Sequence, residues 1–512
     1  MTSATYVLEV DWSGDGDYGD SNENVTGDTI QINTASLGRS LGSPLTSRSS
    51  AGKLVATLRN DADLYSPSNT DGALTGNIIP GRLVRLRTTS PSSTILWTGY
   101  LDSVVPHISR RHGKTATLTA LGPLGRLATK NSRIAMQTSR RTDQAIGDVL
   151  DDAGWGASDR NLDTGQTTMT RWWADDISCI EALREIEATE AGFIREEKDG
   201  DIAFESRHHR ILDTTDVATY SDHASPASGA ISMVAPVRQI DPNSLIFNEF
   251  TSQVRTFSVG SLAVLWTLIE TGSSSPLIAA GESKVFVAIY PTDEDRASGN
   301  MAVDAWTTPA STTDFTANSA SDGSATNLTS DFAVAVVKRA EAMKITVTNN
   351  NALTAGYLTK LQARGTPVSR SEPVELIAED STSQTAFGKR TYPRPTSARF
   401  VPNTLEAQGW CDYSLSIFKD PFSLIEIMFS ANKDSDSMAE ALRVAVSDRV
   451  TLQLDENAGF GQDGIHFVER VTHIIRSKTE HWVSLVLSDG LKYGGFWVLN
   501  TSKLSISTRL AY

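Results

Sequence analysis

Four short apolar segments near the start of this 512-residue chain return, in the same order and at similar spacing, near its end. Leu54 to Leu58, followed by Asn60-Asp61, has a counterpart in Leu424 to Phe429, followed by Asn432-Lys433-Asp434. Arg82 to Arg87 corresponds to Arg449 to Leu454, and Leu96 to Ile108, with His107, to Ile465 to Ile475, with His473. Thr115 to Leu121 corresponds to Trp482 to Leu487, followed by Ser488-Asp489. Period-2 alternation, cleanest at Thr115 to Leu121, sends successive side chains to opposite faces of a strand. Asn60-Asp61, Pro80-Gly81, Ser90-Pro91 and Gly113 punctuate the first set as turns. Two copies of one four-strand pattern constrain the chain to two similar β units, and a small β-barrel at each end is the expected closure. The second copy carries one inserted helix, expected over Ser437 to Val446.

Between the copies the period changes. Thr142 can cap a helix in which Ala145, Ile146, Val149, Leu150 and Ala153 share a face and Gly154 ends the run. Ser178 and Glu181 have the spacing of a capping box over a second helix, with Ile177, Ile180, Leu183 and Ile186 recurring every three residues and Gly192 as its stop. A hairpin follows, Phe193 to Glu197 and Ile202 to Arg207, turned at Asp199-Gly200. Strands are expected again at Leu262 to Ile269, Lys284 to Tyr290, Phe332 to Val337 and Lys344 to Thr348, around the Ser/Thr/Ala/Asn-rich loop Ser311 to Ser330. At roughly 150 residues per domain the length suits three or four domains. The expected fold is mainly β with an α+β unit: an N-terminal β-barrel (1–130), an α+β domain (131–215), a Pro/Ser/Ala-textured linker (216–245), an inserted β-sandwich (246–366) and a C-terminal β-barrel with one helix (367–512).

Composition narrows the function. No apolar run approaches the roughly 20 residues of a spanning helix, and the opening MTSATYVLEVD has neither the basic nor the apolar region of a secretion signal. Cys179 and Cys411 stand alone and far apart, which excludes a disulfide scaffold and a Cys-based zinc site; two reduced, partly buried thiols are expected over a disulfide between them. The formal charge of −15 is regional: residues 1–130 carry +1, residues 131–300 carry −13 and residues 301–512 carry −3. Such a chain lacks the basic stripe of a nucleic-acid reader, and an acidic surface repels phosphate.

No catalytic, cofactor-binding or metal-ligating set is assigned. Asp15, Asp17 and Asp20, with Asp11, resemble a calcium loop, but an EF-hand counted from Asp15 places Gly19 fifth and Thr26 twelfth, where a carboxylate is required; an Asp/Gly turn is the expectation. His208 and His209 are adjacent, so in a strand they face opposite ways, and His466 and His473 are expected as satisfied surface or strand-end histidines. Glu196 and Glu197, near Asp199 and Asp201, flank a turn instead of lining a cleft. Walker and H-E-x-x-H motifs are lacking, and no enzyme is expected. In a strand, one of Trp172 and Trp173 is expected to face away from the core toward an interface, with Trp97, Trp410, Trp482 and Trp497 as core or interface aromatics.

A duplicated unit has a use that needs no catalytic residue. Three chains closing a ring bring six similar units round in pseudo-sixfold order, and closure pairs exposed sheet edges. The run Val10-Asp11-Trp12-Ser13-Gly14-Asp15-Gly16-Asp17-Tyr18 on to Glu23-Asn24-Val25-Thr26, and Tyr65-Ser66-Pro67 after Asn60-Asp61-Ala62-Asp63, resemble the start of minor tail proteins of tailed phages and prophages. The close, Phe467-Val468-Glu469-Arg470-Val471-Thr472-His473 through Trp497-Val498-Leu499-Asn500-Thr501-Ser502 to Arg509-Leu510-Ala511-Tyr512, is similar to the same group. With the α+β unit, the chain resembles the baseplate hub, or tail-tip hub, family, which contractile injection systems share; the 246–366 insert is covered least. The resemblance implies a virion structural protein, assembled in the host cytoplasm as a homotrimer at the distal end of a tail. Its implied partners are a hexameric distal tail or tube protein, a tape-measure protein and tip or receptor-binding proteins. DNA would pass through the channel without specific binding, repelled if the acidic 131–300 region lines it, and no cofactor is implied. The alternative is a host-surface or glycan-binding minor tail protein acting through the 246–366 sandwich.

Overall fold

The computed structural model of the chain describes residues 2–39, 48–109, 113–223, 227–234, 237–240, 243–268, 275–292, 299–395, 397–421, 423–454 and 463–490. Nearly half of the chain is strand, so the mainly β class holds. The first unit contains β1 (Thr5–Val10), β2 (Thr29–Gly38), β3 (Lys53–Arg59), β4 (Leu83–Ser90), β5 (Thr94–Ser109) and β6 (Gly113–Leu121), paired antiparallel in the order β1-β4-β5-β6-β3-β2. Alternation decides which face is inside: Leu54, Ala56 and Leu58 of β3, Val84 and Leu86 of β4, and Ala116, Leu118 and Ala120 of β6 have no solvent exposure.

The α+β unit follows, with α1 (Pro123–Leu127), β7 (Asn131–Arg141), α2 (Thr142–Asp152), β8 (Arg160–Leu162), β9 (Thr168–Ser178), α3 (Cys179–Glu190), β10 (Phe193–Glu196), β11 (Ile202–Glu205) and α4 (His209–Leu212). The capping box forms as expected, Glu181 N–H donating to Ser178 Oγ at 3.2 Å and Ser178 N–H to Glu181 Oε2 at 3.2 Å. Thr142 is the first helical residue and Arg141 the cap; the Thr142 hydroxyl donates to Glu190 Oε2 at 2.8 Å. Gly192 acts by close approach: Ala191 takes the left-handed turn at φ 60°, whereas a Cβ on Gly192 would lie 2.6 Å from the Glu205 carbonyl oxygen. Trp172 and Trp173 are both fully buried, against the expectation that one faces outward. The β7–β9 ribbon has α2 and α3 against it, and Trp173 packs edge-on against Phe257 and Phe400 at ring distances of 5.6 and 5.2 Å.

The segment expected as a linker carries β12 (Ala218–Ser221), β13 (Ile231–Ser232) and β14 (Arg238–Ile240), strands of the C-terminal unit. Their Ser/Ala/Pro texture hides them because each is only two to four residues long. β15 (Glu249–Val254) leads into the insert: β16 (Phe257–Val259), β17 (Ala263–Thr267), β18 (Leu277–Ile278), β19 (Ser283–Ile289), β20 (Gly299–Thr307), β21 (Phe315–Asn318), β22 (Phe332–Lys338), β23 (Ala342–Asn349) and β24 (Gly356–Arg370). One sheet gathers β16, β17, β18, β20 and β21 along the 15-residue β24, and β19-β23-β22 form the other. They share the core of Ile278, Phe315, Met343, Ile345, Val347 and Leu361, the packing of a sandwich. The Ser311 to Ser330 loop folds around Asn318, whose Nδ2 donates to the Gly323 and Ala325 carbonyls at 3.1 and 3.0 Å.

After the insert come β25 (Val374–Glu379), α5 (Ser381–Phe387), β26 (Thr391–Pro393) and α6 (Thr404–Phe418). The last was not expected, because its buried stripe of Ala407, Trp410, Cys411, Ser414 and Ile417 is mostly small residues. The final unit is β27 (Leu424–Ser430), α7 (Ser435–Arg443), β28 (Arg449–Gln453), β29 (Gly464–Ser477) and β30 (Glu480–Asp489). Asp434 caps α7, so the helix starts two residues before Ser437 and ends before Val446.

The duplication is a property of the fold. The order β3-β6-β5-β4 in the first unit is repeated as β27-β30-β29-β28 in the second. Both copies carry a β-bulge at the same place, between Leu101 and Ser103 on β5 and between Val468 and Arg470 on β29. Counted from the bulge, buried Ala116, Leu118 and Ala120 coincide with buried Val483, Leu485 and Leu487. The turn after the first strand aligns one residue differently from the sequence match. Asn60 N–H donates to Lys114 O and Ala431 N–H to His481 O, so Ala431, and not Asn432, is the counterpart of Asn60.

Neither unit closes into a barrel among the described residues, which corrects that expectation. β2 leaves the edge of the first unit and pairs with β29, joining both into one 13-stranded sheet over one continuous apolar core. An edge strand that finds its partner in the neighbouring copy has no need to return to its own sheet. No described helix is long and apolar enough to cross a membrane.

Candidate functional site

The seam between the two units is the place where chemistry concentrates. β2 lies between β3 and β29, with Ala35 opposite Leu54 on one side and His473 on the other. At its end Gly38, with φ 106°, lets the strand meet the bulge of β29: a Cβ there would lie 2.3 Å from the Glu469 carbonyl oxygen. Glu469 is the extra residue of that bulge, and the residue is 1% exposed.

Arg39, next after β2, pairs with this carboxylate, as does Arg210 of α4 at 2.5 Å. Ser488 Oγ of β30 donates to it at 2.6 Å. Arg210 Nε donates to Ser447 Oγ at 3.2 Å, and Ser447 Oγ to Glu205 Oε2 at 2.7 Å. Glu205 accepts from Arg195 Nε at 2.6 Å, and Arg195 reaches Glu197 at 3.2 Å. Arg39 stacks over Phe193 at 3.7 Å and Arg210 lies over Phe467 at 5.0 Å. One buried chain of charges thus pins the first unit, the α+β unit and the second unit together. Burial raises the Glu469 carboxyl, but the charges of Arg210 and Arg39 outweigh it and hold the group at about 2. Burial likewise opposes ionisation of Glu205, and Arg195 and Arg210 bring it below the ordinary carboxylate range.

A second clamp is Glu196 of β10. It accepts from Gly52 N–H at 2.6 Å and Leu124 N–H at 2.7 Å, in a cradle where a Cβ on Gly122 or Gly52 would fall 2.1 or 2.6 Å from its Oε2. Burial pushes it up to about 7, against those hydrogen bonds. Because the folded value lies above the unfolded one near 4.5, this group favours the fold most at low pH, and its contribution falls as pH rises through 7. The span is about 3 kcal/mol at 1.36 kcal/mol per pH unit. Thermal unfolding of Glu196→Gln should therefore be flatter between about pH 5 and 8 than that of the parent protein; parallel profiles would overturn this assignment.

At the hairpin tip Lys198 Nζ donates to the Leu442 and Arg443 carbonyls at 2.8 and 2.6 Å, at the C-terminal end of α7. Burial pushes this ammonium down to about 8. Glu197, Asp199 and Asp201 bring carboxylate oxygens within 4.8 Å of one another, the one described cluster that could converge on a cation. Burial first, then Asp199 and Glu197, raises Asp201 to about 6.

Asp15 and Asp17 are exposed and bond their own turn, accepting from Asp17 N–H at 3.1 Å and Gly19 N–H at 2.7 Å. Asp20 N–H donates to the fully buried Glu23 at 2.9 Å. The buried Asp11 accepts from Gly14 and Gly16 at 2.5 and 3.0 Å. Carboxylates meet backbone N–H groups throughout, as in an Asp/Gly turn. The histidines differ from expectation: His473 is 3% exposed and His481 fully buried, linked Tyr6 Oη to His481 at 2.8 Å and His481 to His473 at 3.0 Å. Burial holds His473 well below its usual range. The long separation of Tyr6 from both is why sequence spacing did not reveal this core triad. His466 is 2% exposed and contacts the Gly464 carbonyl at 3.1 Å. His209 meets Asp163 at 2.8 Å. Cys179 and Cys411 are buried free thiols. Trp97 and Trp410 are buried, and Trp497 lies outside the described residues.

No protein-family model and no curated protein matches the sequence. Solved structures do match the fold. The 43 kDa tail protein of prophage MuSo2 from Shewanella oneidensis has a TM-score of 0.47 at 10% identity, over 95% of this chain and 99% of that one. An E. coli component of the type VI secretion system, described as structurally similar to T4 tail proteins gp27 and gp5, has a TM-score of 0.37 at 7% identity, over 90% and 73%. The tail protein from Neisseria meningitidis MC58 has a TM-score of 0.50 at 9% identity, over 96% of this chain and 99% of that one. Over nearly the whole of both chains, this protein shares its fold with that Neisseria tail protein.

Proposed function

We propose that this chain is a structural, non-enzymatic component of a phage-type tail, a homotrimeric hub at the distal tip. The observation that carries the reading is the duplicated unit: one strand order, one bulge position and one set of buried residues, twice in a chain whose fold is that of a tail protein. Three copies present six such units, which matches a hexameric tube or distal tail ring on one side and threefold tip components on the other. A tape-measure protein and then DNA pass through the ring. The acidic 131–300 segment supports passage without binding, since like charge repels phosphate.

Native mass measurement tests this. The purified chain is expected at three times 55.3 kDa, and heavier still on adding a tube-proximal ring protein. A monomer unchanged by every tail component would refute the hub. A second reading, host-surface attachment through the insert, is favoured by the outer face of β19-β23-β22, where Val285, Val287, Ile289 and Val337 are all about half exposed or more. Under that reading the protein alone binds host envelopes, and loses binding when Val287 and Val337 become Asp.

A further inference from the structure

We infer that the outer arm of β5, residues Ser103 to Ile108, is the seat for the β14 strand of a second copy of this chain. The inference rests on the hub reading and gives it a specific contact.

The seam inside the chain supplies the template. β29 carries β30 on one side of its outer arm and β2 on the other, with Gly38 opposite Arg470, Leu37 opposite Val471, Ser36 opposite Thr472 and Ala35 opposite His473. Aligned at the bulge, Arg470 corresponds to Ser103, Val471 to Val104, Thr472 to Val105, His473 to Pro106 and Ile475 to Ile108. The arm of β5 has β6 on one side, and among the described residues no strand pairs with its other side beyond Leu101. Exposure follows: Ile475 is 4% exposed under β2, whereas Ile108 is 82% and Val105 46% exposed. The bulge residue shows the same contrast, Glu469 buried and Asp102 exposed.

The strand that would fill this edge is also determined. β2 pairs with β3 as β14 pairs with β27: Ala35 faces Leu54, Gln239 faces Ile425, and Leu54 and Ile425 face the equivalent residues Ala120 and Leu487. Gln239 is thus the counterpart of Ala35 and Ile240 of Ser36. In the described residues β14 pairs with β27 alone. Transferring the seam register places Gln239 of one copy opposite Pro106 of the next, and Ile240 opposite Val105. Each chain then offers one filled seam and one half of the next, and the contact is heterologous and ring-forming.

Pro106 fits an edge of this kind. Arg39 N–H donates to Glu469 O at 2.9 Å, so by antiparallel alternation the N–H and C=O of Val471 and His473 point to β2. The counterpart Pro106 therefore turns its nitrogen to the open side, where proline leaves the β5–β6 ladder whole and removes one donor from the edge. That discourages indiscriminate strand addition while Val104 and Ile108 keep their donors.

The test is cysteine cross-linking in the full chain. Positions 240 and 105 would form a non-hydrogen-bonded pair, the backbone placement that brings paired cysteines closest. Under mild oxidation, Val105→Cys/Ile240→Cys is expected to shift on non-reducing gels to a ladder ending at the covalent trimer. Either single variant should remain at monomer mass, since Cys179 and Cys411 are buried. Val105→Asp should convert the native trimer to a monomer that still unfolds cooperatively. A trimer by native mass that neither cross-links through this pair nor dissociates with Val105→Asp overturns the seat and leaves the hub standing. A parent protein that stays monomeric with and without a ring protein overturns both.

Discussion

Glu469→Ala is expected to destabilise the protein by about 3–5 kcal/mol, the range for removing one partner of a buried charge pair. The carboxylate is the shared acceptor of Arg39, Arg210 and Ser488. Its loss leaves two buried guanidinium groups without their common counter-charge, and the chain has few means of hydrating them, because Arg39 is 7% exposed. Glu469→Gln keeps the volume and one acceptor oxygen and should lose less. Acid provides the same test without a mutation. The folded group titrates at about 2, below its unfolded range near 4.5. Its contribution, about 3 kcal/mol at 1.36 kcal/mol per pH unit, is therefore present above the unfolded range and lost as pH falls toward 2. Chemical unfolding at neutral pH measures the first effect, and a comparison of parent and Glu469→Gln between pH 5 and about 2 measures the second. A loss below about 1 kcal/mol, typical of an exposed pair, would show that the seam is wet.

Much of this architecture was legible because β alternation and turn residues are local signals. The four repeated strands, the capping box at Ser178 and the Asp199-Gly200 hairpin are each specified within a few neighbouring residues. Features fixed by distant partners were not. β12, β13 and β14 are too short to show a period; β12 and β14 exist as strands because β28 and β27 lie beside them, and β13 because β12 does. The same limit hid the buried triad of Tyr6, His473 and His481 and the inward face of both Trp172 and Trp173. It also concealed the choice between closing a barrel and joining a seam. That choice depends on where β2 goes, and its 29–38 sequence reads alike for either partner. The bulge that aims Glu469 at Arg39 is visible only once β29 and β30 are in register.

Gly38→Ala is expected to open the seam at a cost of about 2–6 kcal/mol, combining backbone strain with overpacking. Two separate penalties meet at this residue. Its φ of 106° is one that L side chains rarely adopt, and the added Cβ would lie 2.3 Å from Glu469 O, 3.0 Å from Arg470 Cα and 3.0 Å from Val446 Cγ2. Two of those three atoms are backbone of the paired strand, so relief requires β2 and β29 to separate instead of a side chain turning away. Gly281→Ala isolates the first penalty: its φ is 72° and no atom lies within 4 Å of the new Cβ, so it should cost only about 1–2 kcal/mol. Hydrogen exchange adds the location. In Gly38→Ala the amides shared by β2 and β29 should lose protection while those between β3 and β6 keep theirs, because the first unit remains paired on its other side. Equal costs for the two substitutions would mean that close approach across the seam is not what requires glycine at position 38, and the register transferred to the neighbouring copy would lose its anchor.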